Sequence, residues 1–365
     1  MPEYYIGLMS GTSIDAIDAV LLDTTDDKFT LLHTVEQQIP EPLKQDIIDL
    51  CSPGDNEIER MGKLDNQLAE LFASACHSLL ETSKLTPNDI RAIGSHGQTI
   101  RHHPNREHGF TLQIGNPALI AEQTSITTVA DFRRADVAAG GQGAPLVPAF
   151  HQAVFANSTI NRVILNIGGM ANISILQNGK VSGFDTGPGN VLLNSWIQNE
   201  LNHSYDDNGN WAKQHETEEG LLKQMLEDKY FQLAPPKSTG REHFNLDWIT
   251  QQLKQYGKTL KPGTIQACLT ELTAETIANA ITQHANCEEV YVCGGGAYNT
   301  FLMELLRDKL KVPVRTTSEI GIEPSYVEAA AFAWFAKQTL NGLSSNVPEV
   351  TGAKHPVIMG AIYPR

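Results

Sequence analysis

The segment RVILNIGGMANISILQNGKVSGFDTGPGN, residues 162–190, predicts three short β-strands joined by glycine-containing turns. An apolar, β-branched run begins at residue 163, and apolar residues alternate with polar ones over 172–176, which are patterns typical of strands. The pair Asn178-Gly179 predicts a tight hairpin turn between the second and third strands. At the first turn, Gly168 and Gly169 have no Cβ, so their backbone N–H groups can face an anion.

Asp185 stands at the predicted end of the third strand, just before the glycine-rich turn 186–190 and a helical run that begins at Val191. In α/β proteins ligands bind at this edge of the sheet, and a helix N-terminus there favours a phosphate or a developing negative charge. Asp185 is therefore a candidate general base. The alternative is that it serves only as a turn or helix-capping residue.

The composition narrows the classes of protein and partner. The chain has 365 residues, 41% of them hydrophobic, which predicts two domains. Its 27 basic and 42 acidic residues give a formal net charge of −15, which argues against nucleic acid or an anionic membrane as a partner. Five scattered cysteines indicate a reduced, cytoplasmic protein without disulfides or a zinc site. We expect neither a signal peptide nor a membrane-spanning segment.

The N-terminal segment has the same predicted order of strand, small-residue turn and strand as residues 162–176, with a different amino-acid sequence. Its turn and the following positions offer backbone donors, hydroxyls and carboxylates to a phosphate, and Asp15 and Asp18 could hold Mg²⁺ through water. The alternative is an ordinary hairpin in which Asp forms the turn. A Walker ATPase is excluded because the Gly-Lys-Ser/Thr ending is missing. The candidate phosphate-binding residues are Gly11, Thr12, Ser13, Ile14, Asp15, Ala16, Ile17 and Asp18.

A polar loop, SHGQT at residues 95–99, follows the predicted buried strand 90–94. His96 and Gln98 can each donate and accept hydrogen bonds, which suits a polyhydroxylated ligand. A zinc site is disfavoured because no carboxylate or cysteine stands at ligand spacing. The alternative is a solvated loop that binds nothing.

Arg133 and Arg134 follow the predicted strand 127–130 and precede the glycine-rich loop 138–145. Guanidinium groups beside a flexible loop suit a carboxylate or a phosphate. Because consecutive small residues absorb backbone rotation, this loop is also the predicted hinge and domain boundary. We predict an N-terminal lobe of residues 1–132 and a C-terminal lobe of residues 133–365, whose last helix and tail could pack back on the N-terminal lobe.

Two further features lie in the last third of the chain. The predicted strand 289–293 leads into Gly294, Gly295 and Gly296 and then into a helix, an arrangement that lets the backbone approach the adenine and ribose of a nucleotide. Glu328 lies near the start of a predicted helix over 323–336, where it is either a ligand or only a favourable charge at the helix N-terminus. The polar loop 235–242 is assigned no role.

The order of these motifs resembles the actin, hexokinase and Hsp70 superfamily and, within it, the 1,6-anhydro-N-acetylmuramic acid kinases. The resemblance covers essentially the whole chain and rests on four motifs, GLMSGTS at 7–13, HGQT at 96–99, DFR at 131–133 with GGQGAP at 140–145, and DTGPGN at 185–190. It implies a two-lobed, actin-like (ribonuclease H-like) α/β fold with the active-site cleft between the lobes. One departure is Ala16 after Asp15, where the family usually has glycine; a positive φ there would strain the phosphate turn and weaken ATP binding.

The resemblance also implies a reaction. An ATP- and Mg²⁺-dependent kinase would hydrolyse the 1,6-anhydro bridge of anhydro-N-acetylmuramic acid and phosphorylate O6, giving N-acetylmuramic acid 6-phosphate in peptidoglycan recycling. Asp185 would activate the attacking water. The two small-residue turns would hold the phosphates and Gly294–Gly296 the adenosine. Of the substrate residues, His96, Gln98 and Glu328 would bind the sugar, and Arg133 or Arg134 the lactyl carboxylate or the phosphate.

Superfamily precedent implies a homodimer in the cytoplasm, with no nucleic-acid or membrane partner. Two other functions stay open. One is a different sugar or small-acid kinase of the same superfamily, in which Asp185 deprotonates a hydroxyl and no ring opens. The other is a non-catalytic, nucleotide-gated binding protein, against which stand the polar loops at His96 and Arg133.

Overall fold

The computed structural model describes residues 2–11, 13–105 and 107–365, apart from the side chain of Asp27. Contacts between Cα atoms divide the chain into two compact units. The first unit comprises residues 1–154 and 325–365, and the second unit comprises residues 155–324. The predicted lobes divide the chain after residue 132, and that assignment stays a prediction.

The strands of the described residues are numbered in chain order. They are β1 (Tyr4–Ser10), β2 (Ala16–Asp23), β3 (Thr30–Gln38), β4 (Ile90–Ser95), β5 (Gln98–His103), β6 (Phe110–Ile114), β7 (Thr128–Ala130), β8 (Arg162–Ile167), β9 (Met170–Gln177), β10 (Lys180–Pro188), β11 (Glu289–Cys293), β12 (Val314–Thr316) and β13 (Ala361–Tyr363). The three strands predicted within residues 162–190 are confirmed as β8, β9 and β10. Asn178 and Gly179 have φ of 53° and 71°, the left-handed values that a two-residue hairpin turn requires.

The α-helices of the same residues are also numbered in chain order. They are α1 (Glu41–Leu50), α2 (Glu57–Ser83), α3 (Pro117–Thr124), α4 (Phe132–Ala138), α5 (Val147–Phe155), α6 (Val191–Leu201), α7 (Asn210–Lys213), α8 (Glu219–Leu226), α9 (Leu246–Tyr256), α10 (Pro262–His284), α11 (Thr300–Leu310), α12 (Val327–Leu340) and α13 (Pro348–Thr351). Among the helices so described, none has both the length and the apolar content that crossing a bilayer requires.

Both large sheets have the same strand order. It is β3-β2-β1-β4-β7 in the first unit, with β13 added at the edge, and β10-β9-β8-β11-β12 in the second. In each sheet the first three strands are antiparallel and the next two run parallel to the central strand. The duplicated topology confirms the predicted α/β fold of the ribonuclease H-like, actin-like type.

Helix α12 packs directly on β1 and β4 of the first unit because both strands have a glycine where the helix crosses. A Cβ at Gly7 would lie 1.9 Å from the carbonyl oxygen of Ala329, and one at Gly94 would lie 1.9 Å from that of Phe332. Gly7 and Gly94 are partners in the parallel pairing of these strands. The two glycines therefore leave a flat surface on which α12 packs, and a side chain at either position would collide with the helix.

We expect Gly94→Ala to lower the free energy of unfolding by about 2 kcal/mol, because the added methyl group must displace α12. Gly62 offers a matched control, since it lies inside α2 and a Cβ there would meet no heavy atom within 4 Å. Gly62→Ala should instead raise the free energy of unfolding by about 0.8 kcal/mol through helix propensity. Urea unfolding of the two variants measures the difference, and two equally stable variants would contradict the close approach.

Candidate functional site

Strand β10 departs from regular pairing at the candidate base. Its register with β9 shifts between Asp185 and Gly187, an irregularity of the kind that re-aims side chains beside active sites. Burial raises the pKa of Asp185 to about 6, a hydrogen bond from the Thr239 N–H lowers it, and the charge of Glu242 raises it. A carboxyl group with this pKa is deprotonated for the most part at neutral pH and can still accept a proton there.

The segment of residues 230–239, which we call the bracing segment, holds Asp185 in place. The Asp185 N–H donates to the carbonyl oxygen of Lys237 at 3.1 Å, and the Tyr230 hydroxyl donates to the carbonyl oxygen of Asp185 at 2.7 Å. The Thr239 N–H donates to Oδ2 of the Asp185 carboxylate at 3.0 Å. These bonds fix the backbone and one carboxylate oxygen of Asp185, which is the support that a catalytic side chain requires.

The turn between β8 and β9 is open at its tip. A Cβ at Gly169 would meet no heavy atom within 4 Å, and one at Gly168 would meet only the Met170 carbonyl oxygen at 3.6 Å. The N–H groups of Asn190 and Val191 donate to the carbonyl oxygens of Gly168 and Gly169 at 2.9 and 3.0 Å. These two N–H groups at the start of α6 are therefore engaged by the turn. A phosphate would meet the backbone at the tip, near Gly169.

The three glycines after β11 differ in what they do. A Cβ at Gly294 would lie 2.4 Å from Oδ1 of Asn166, and one at Gly296 would lie 2.3 Å from the side chain of Ile167. Packing against β8 therefore requires glycine at both positions. At Gly295 the nearest heavy atom to a Cβ is 4.0 Å away. Gly295 is thus the position where the backbone is open to a flat ligand.

In the first unit, the turn between β1 and β2 is built around a buried isoleucine. Ile14 has a φ of 55°, a strained value for a β-branched residue, and its side chain is buried in the core with that of Ile17. These two side chains support the turn from below. Ala16 begins β2 opposite Gln38 and has no positive φ, so the condition for strain at that position is not met.

The tip of the same turn is more open. A Cβ at Gly11 would meet no heavy atom within 4 Å, and Ser13 is exposed. Thr12, which is also a predicted phosphate ligand, lies outside the described residues. The described part of the tip therefore leaves room for a ligand beside its backbone.

The two candidate metal residues have different surroundings. Asp15 pairs with the Lys44 ammonium. Burial, together with the charges of Glu36 and Glu328, raises the pKa of Asp18 to about 7. A divalent cation would offset the negative charge at Asp18, so this residue fits magnesium, whereas Lys44 already neutralises Asp15. Nowhere in the described ranges do three His, Cys, Asp or Glu side chains converge as metal ligands.

In the first unit the half-buried Arg133 is hydrogen-bonded to the buried His96. Nε of Arg133 donates to Nε2 of His96 at 3.0 Å, and Nη1 of Arg133 donates to the Gly143 carbonyl oxygen at 2.6 Å. His96 is 6% exposed and packs against Phe332, with 4.8 Å between the ring centroids. Burial and the charge of Arg133 hold the pKa of His96 well below its usual value. His96 is therefore a neutral acceptor that orients the guanidinium.

Gln98 and Glu328 belong to the same region. The Ser10 hydroxyl donates to Oε1 of Gln98 at 2.7 Å, which links the ends of β1 and β5. Glu328 lies in the first turn of α12, and its charge acts on both Asp18 and Arg133. Burial lowers the pKa of Arg133 to about 10, while Glu328 and Asp136 raise it. Arg133 therefore stays a cation at neutral pH among carboxylates.

Arg134 makes different polar contacts from Arg133. Its Nε pairs with Asp131 at 3.1 Å, and the side chain is 56% exposed. It borders a pocket of about 250 Å³ together with His96, Asp65 and Tyr363, and Arg133 is not among the lining residues. Of the two predicted arginines, Arg133 hydrogen-bonds His96 and is close enough to Glu328 to feel its charge, whereas Arg134 shares with His96 the lining of this pocket.

A family model described as anhydro-N-acetylmuramic acid kinase matches residues 3–365. The chain belongs to the anhydro-N-acetylmuramic acid kinase family. It is 50% identical over 365 residues to the anhydro-N-acetylmuramic acid kinase of Shewanella pealeana, covering 99% of each chain. It is 49% identical over 367 residues to that of Pseudomonas savastanoi pv. phaseolicola, covering 100% of each.

Among solved structures, (R)-2-hydroxyglutaryl-CoA dehydratase component A of Acidaminococcus fermentans has a TM-score of 0.49 with this chain at 12% identity, over 91% of this chain and 97% of that one. Membership of the anhydro-N-acetylmuramic acid kinase family confirms the predicted family and the predicted class of enzyme, a kinase and hence a transferase. The roles of individual residues stay predictions.

The bracing segment is the part of this family member that sequence reasoning missed. A signal was present, because polar and charged residues are concentrated at 237–242 directly after Pro235-Pro236. The contact itself joins Asp185 to Thr239, which is 54 residues further along the chain. Hydrophobic periodicity reports only local structure and does not identify a pairing over that separation.

Proposed function

We propose that this chain hydrolyses the 1,6-anhydro bridge of anhydro-N-acetylmuramic acid and transfers a phosphoryl group from ATP to O6, giving N-acetylmuramic acid 6-phosphate in peptidoglycan recycling. The observation that carries the proposal is Asp185, a braced carboxylate whose pKa is raised to about 6. Such a group suits the removal of a proton from water at neutral pH. Family membership supports the choice of sugar.

In the proposed reaction Asp185 accepts a proton from water as the water oxygen bonds to the anomeric carbon. The bond from that carbon to O6 breaks, and O6 takes the γ-phosphoryl group of ATP as ADP leaves. Proton removal by a positioned carboxylate contributes about 10²- to 10⁴-fold to the rate. ATP supplies the phosphoryl group and Mg²⁺ offsets its charge when both are bound.

We assign the phosphates and the adenosine of the nucleotide to the glycine-containing turns. Gly11, Thr12 and Ser13 in one turn, and Gly168 and Gly169 in the other, would bind phosphate oxygens. Gly295 would approach the adenosine, while Gly294 and Gly296 shape that turn. Asp18 would hold Mg²⁺ through water. Asp15 is paired with Lys44 and would contribute less to binding the ion.

We assign the sugar to the cluster of the first unit. Arg133 would pair with the lactyl carboxylate, since it is half-buried, charged and oriented by His96. Gln98 and Glu328 would hydrogen-bond the hydroxyl and acetamido groups of the sugar. The exposed ion pair of Arg134 with Asp131 gives Arg134 no part in this assignment.

A cytoplasmic homodimer with no nucleic-acid or membrane partner is part of the proposal. The formal net charge of −15 argues against polyanionic partners. Superfamily precedent supports the dimer, and sedimentation measurements on the purified protein would test it.

The raised pKa of Asp185 predicts an acidic limb in the pH profile. Because the base acts in its deprotonated form, kcat/KM should fall about tenfold per pH unit below a midpoint near pH 6. Glu242→Gln removes a charge that raises this pKa, so the midpoint should move to lower pH. Initial rates between about pH 4.5 and 8 measure both profiles. An unchanged midpoint in the variant would contradict the electrostatic link.

A labelling experiment tests the reaction. The protein is incubated with Mg·ATP, anhydro-N-acetylmuramic acid and ¹⁸O-labelled water, and the product is analysed by mass before its anomeric centre exchanges. We expect a 6-phosphate that carries the label at the anomeric hydroxyl. Phosphorylation without label would favour a kinase that opens no ring, and ATP binding without any phosphosugar would refute the proposed substrate.

A further inference from the structure

A cavity of about 370 Å³ lies beside β10 within the second unit. Phe184, which directly precedes Asp185 in this strand, lines the cavity. Because neighbouring residues of a strand point to opposite faces, Phe184 and the candidate base are directed to opposite sides of β10. Helix α10 provides another wall, through Asn279 and Gln283 on one helical face. The proposed reaction uses none of these side chains.

The lining has a distinct chemical character. Lys237 and His284 supply basic groups, Asn279 and Gln283 supply amides, and Phe184 and Phe231 supply aromatic surface. Every lining residue in the part of the chain that the structure describes is basic, neutral polar or apolar, and none is acidic. In a chain with a formal net charge of −15, a lining of this kind suits a small anion that has an apolar part.

Lys237 is poised at one side of this cavity. Its ammonium donates to the carbonyl oxygens of Tyr230 and Phe231 at 3.2 and 3.5 Å and lies 4.7 Å from the centroid of the Tyr230 ring. These bonds use two of the three N–H groups, which leaves the third for an anion. Burial lowers the pKa of Lys237, and a bound carboxylate would stabilise the charged form.

We propose that this cavity binds an organic carboxylate with an aromatic or apolar body, the carboxylate on Lys237 and the body between Phe184 and Phe231. The cavity is also linked to the candidate base. The carbonyl oxygen of the same Lys237 accepts the N–H of Asp185, so a ligand that shifts Lys237 alters how Asp185 is held. The link to Asp185 rests on the proposed function, whereas the binding of a carboxylate does not.

Benzoate is the probe, and benzamide, which has the same shape without the charge, is its control. Isothermal titration of the full chain, without nucleotide or sugar, should show benzoate binding about tenfold more tightly than benzamide. Lys237→Met should weaken benzoate binding about tenfold and leave benzamide binding unchanged, because the chain length is kept and the charge is lost. No binding of benzoate to the natural chain overturns the proposal.

A second variant keeps the test independent of the bracing segment. Asn279 is exposed and its side chain donates within α10 to Glu275 at 3.3 Å, so Asn279→Phe fills the cavity from the solvent side. This variant should bind neither probe. Benzoate binding that survives in both variants places the ligand elsewhere and overturns the proposal.

The link to Asp185 has a separate readout. Saturating benzoate should shift the midpoint of the acidic limb of kcat/KM in the natural chain and leave it unshifted in Asn279→Phe. An unshifted midpoint in the natural chain refutes the link. A chain that binds benzoate but phosphorylates no anhydro sugar refutes the proposed function and leaves the carboxylate site standing, so the two failures are distinct.

Discussion

Asp185→Asn should lower kcat by about a thousandfold, because an amide cannot accept the proton that the attacking water gives up. Asparagine keeps the size of the side chain, and its amide oxygen can still accept the Thr239 N–H. The bracing segment can therefore make the same contacts with the variant. ATP affinity should stay within about twofold of the natural value, because the carboxylate is assigned to the attack of water on the sugar. Formation of the phosphosugar measures kcat, and nucleotide titration measures affinity.

Asp247→Asn is the matched control for this substitution. Asp247 is an exposed aspartate in the first turn of α9, in the same unit as Asp185. The Asp247→Asn variant loses the same charge as Asp185→Asn and should retain full activity. An Asp185→Asn protein with more than about a tenth of the natural kcat would remove Asp185 from the role of general base.

Arg133→Ala should lower kcat/KM by a factor of about 10² to 10³, the usual effect of removing one partner from a buried charge pair. The substitution removes the guanidinium assigned to the lactyl carboxylate and leaves Glu328 without the nearby positive charge. Arg133→Lys keeps the charge, but a single ammonium cannot reproduce the fork that contacts both His96 and the Gly143 carbonyl. We expect the lysine variant to be intermediate.

The neighbouring arginine provides the comparison. Arg134 is 56% exposed, and surface ion pairs such as the one with Asp131 contribute about 1 kcal/mol or less. Arg134→Ala should therefore change kcat/KM by about twofold at most. Steady-state kinetics with anhydro-N-acetylmuramic acid and ATP measures all three variants. A larger loss for Arg134→Ala than for Arg133→Ala would reverse the assignment of the two arginines.

Local sequence pattern was sufficient for much of the fold. Apolar strand patterns and the Asn178-Gly179 pair identify the β8–β10 hairpins, and the helical run that begins at Val191 is confirmed as α6. Gly294, Gly295 and Gly296 show the limit of such reasoning. Their pattern identifies a turn with unusual backbone requirements, yet two of the three glycines are required by packing against β8, which only the folded sheet reveals.

The arrangement of the site depends on contacts that no local pattern encodes. The bond from Arg133 to His96 spans 37 residues, and that from Thr239 to Asp185 spans 54. The raised pKa of Asp185 and the lowered pKa of His96 both arise chiefly from burial, which tertiary packing determines. Sequence reasoning named these side chains and left open which of Arg133 and Arg134 joins the cluster.

Because α12 packs on β1 and β4, the two units of this protein are completed in a fixed order during translation. Residues 155–324 form one uninterrupted stretch, so every strand and helix of that unit is present once Pro324 has been added. Gly7 and Gly94 are translated before this unit, but the helix that covers them begins only at Val327. The middle of the chain is thus complete before its beginning, and the earliest strands spend most of synthesis with one face uncovered.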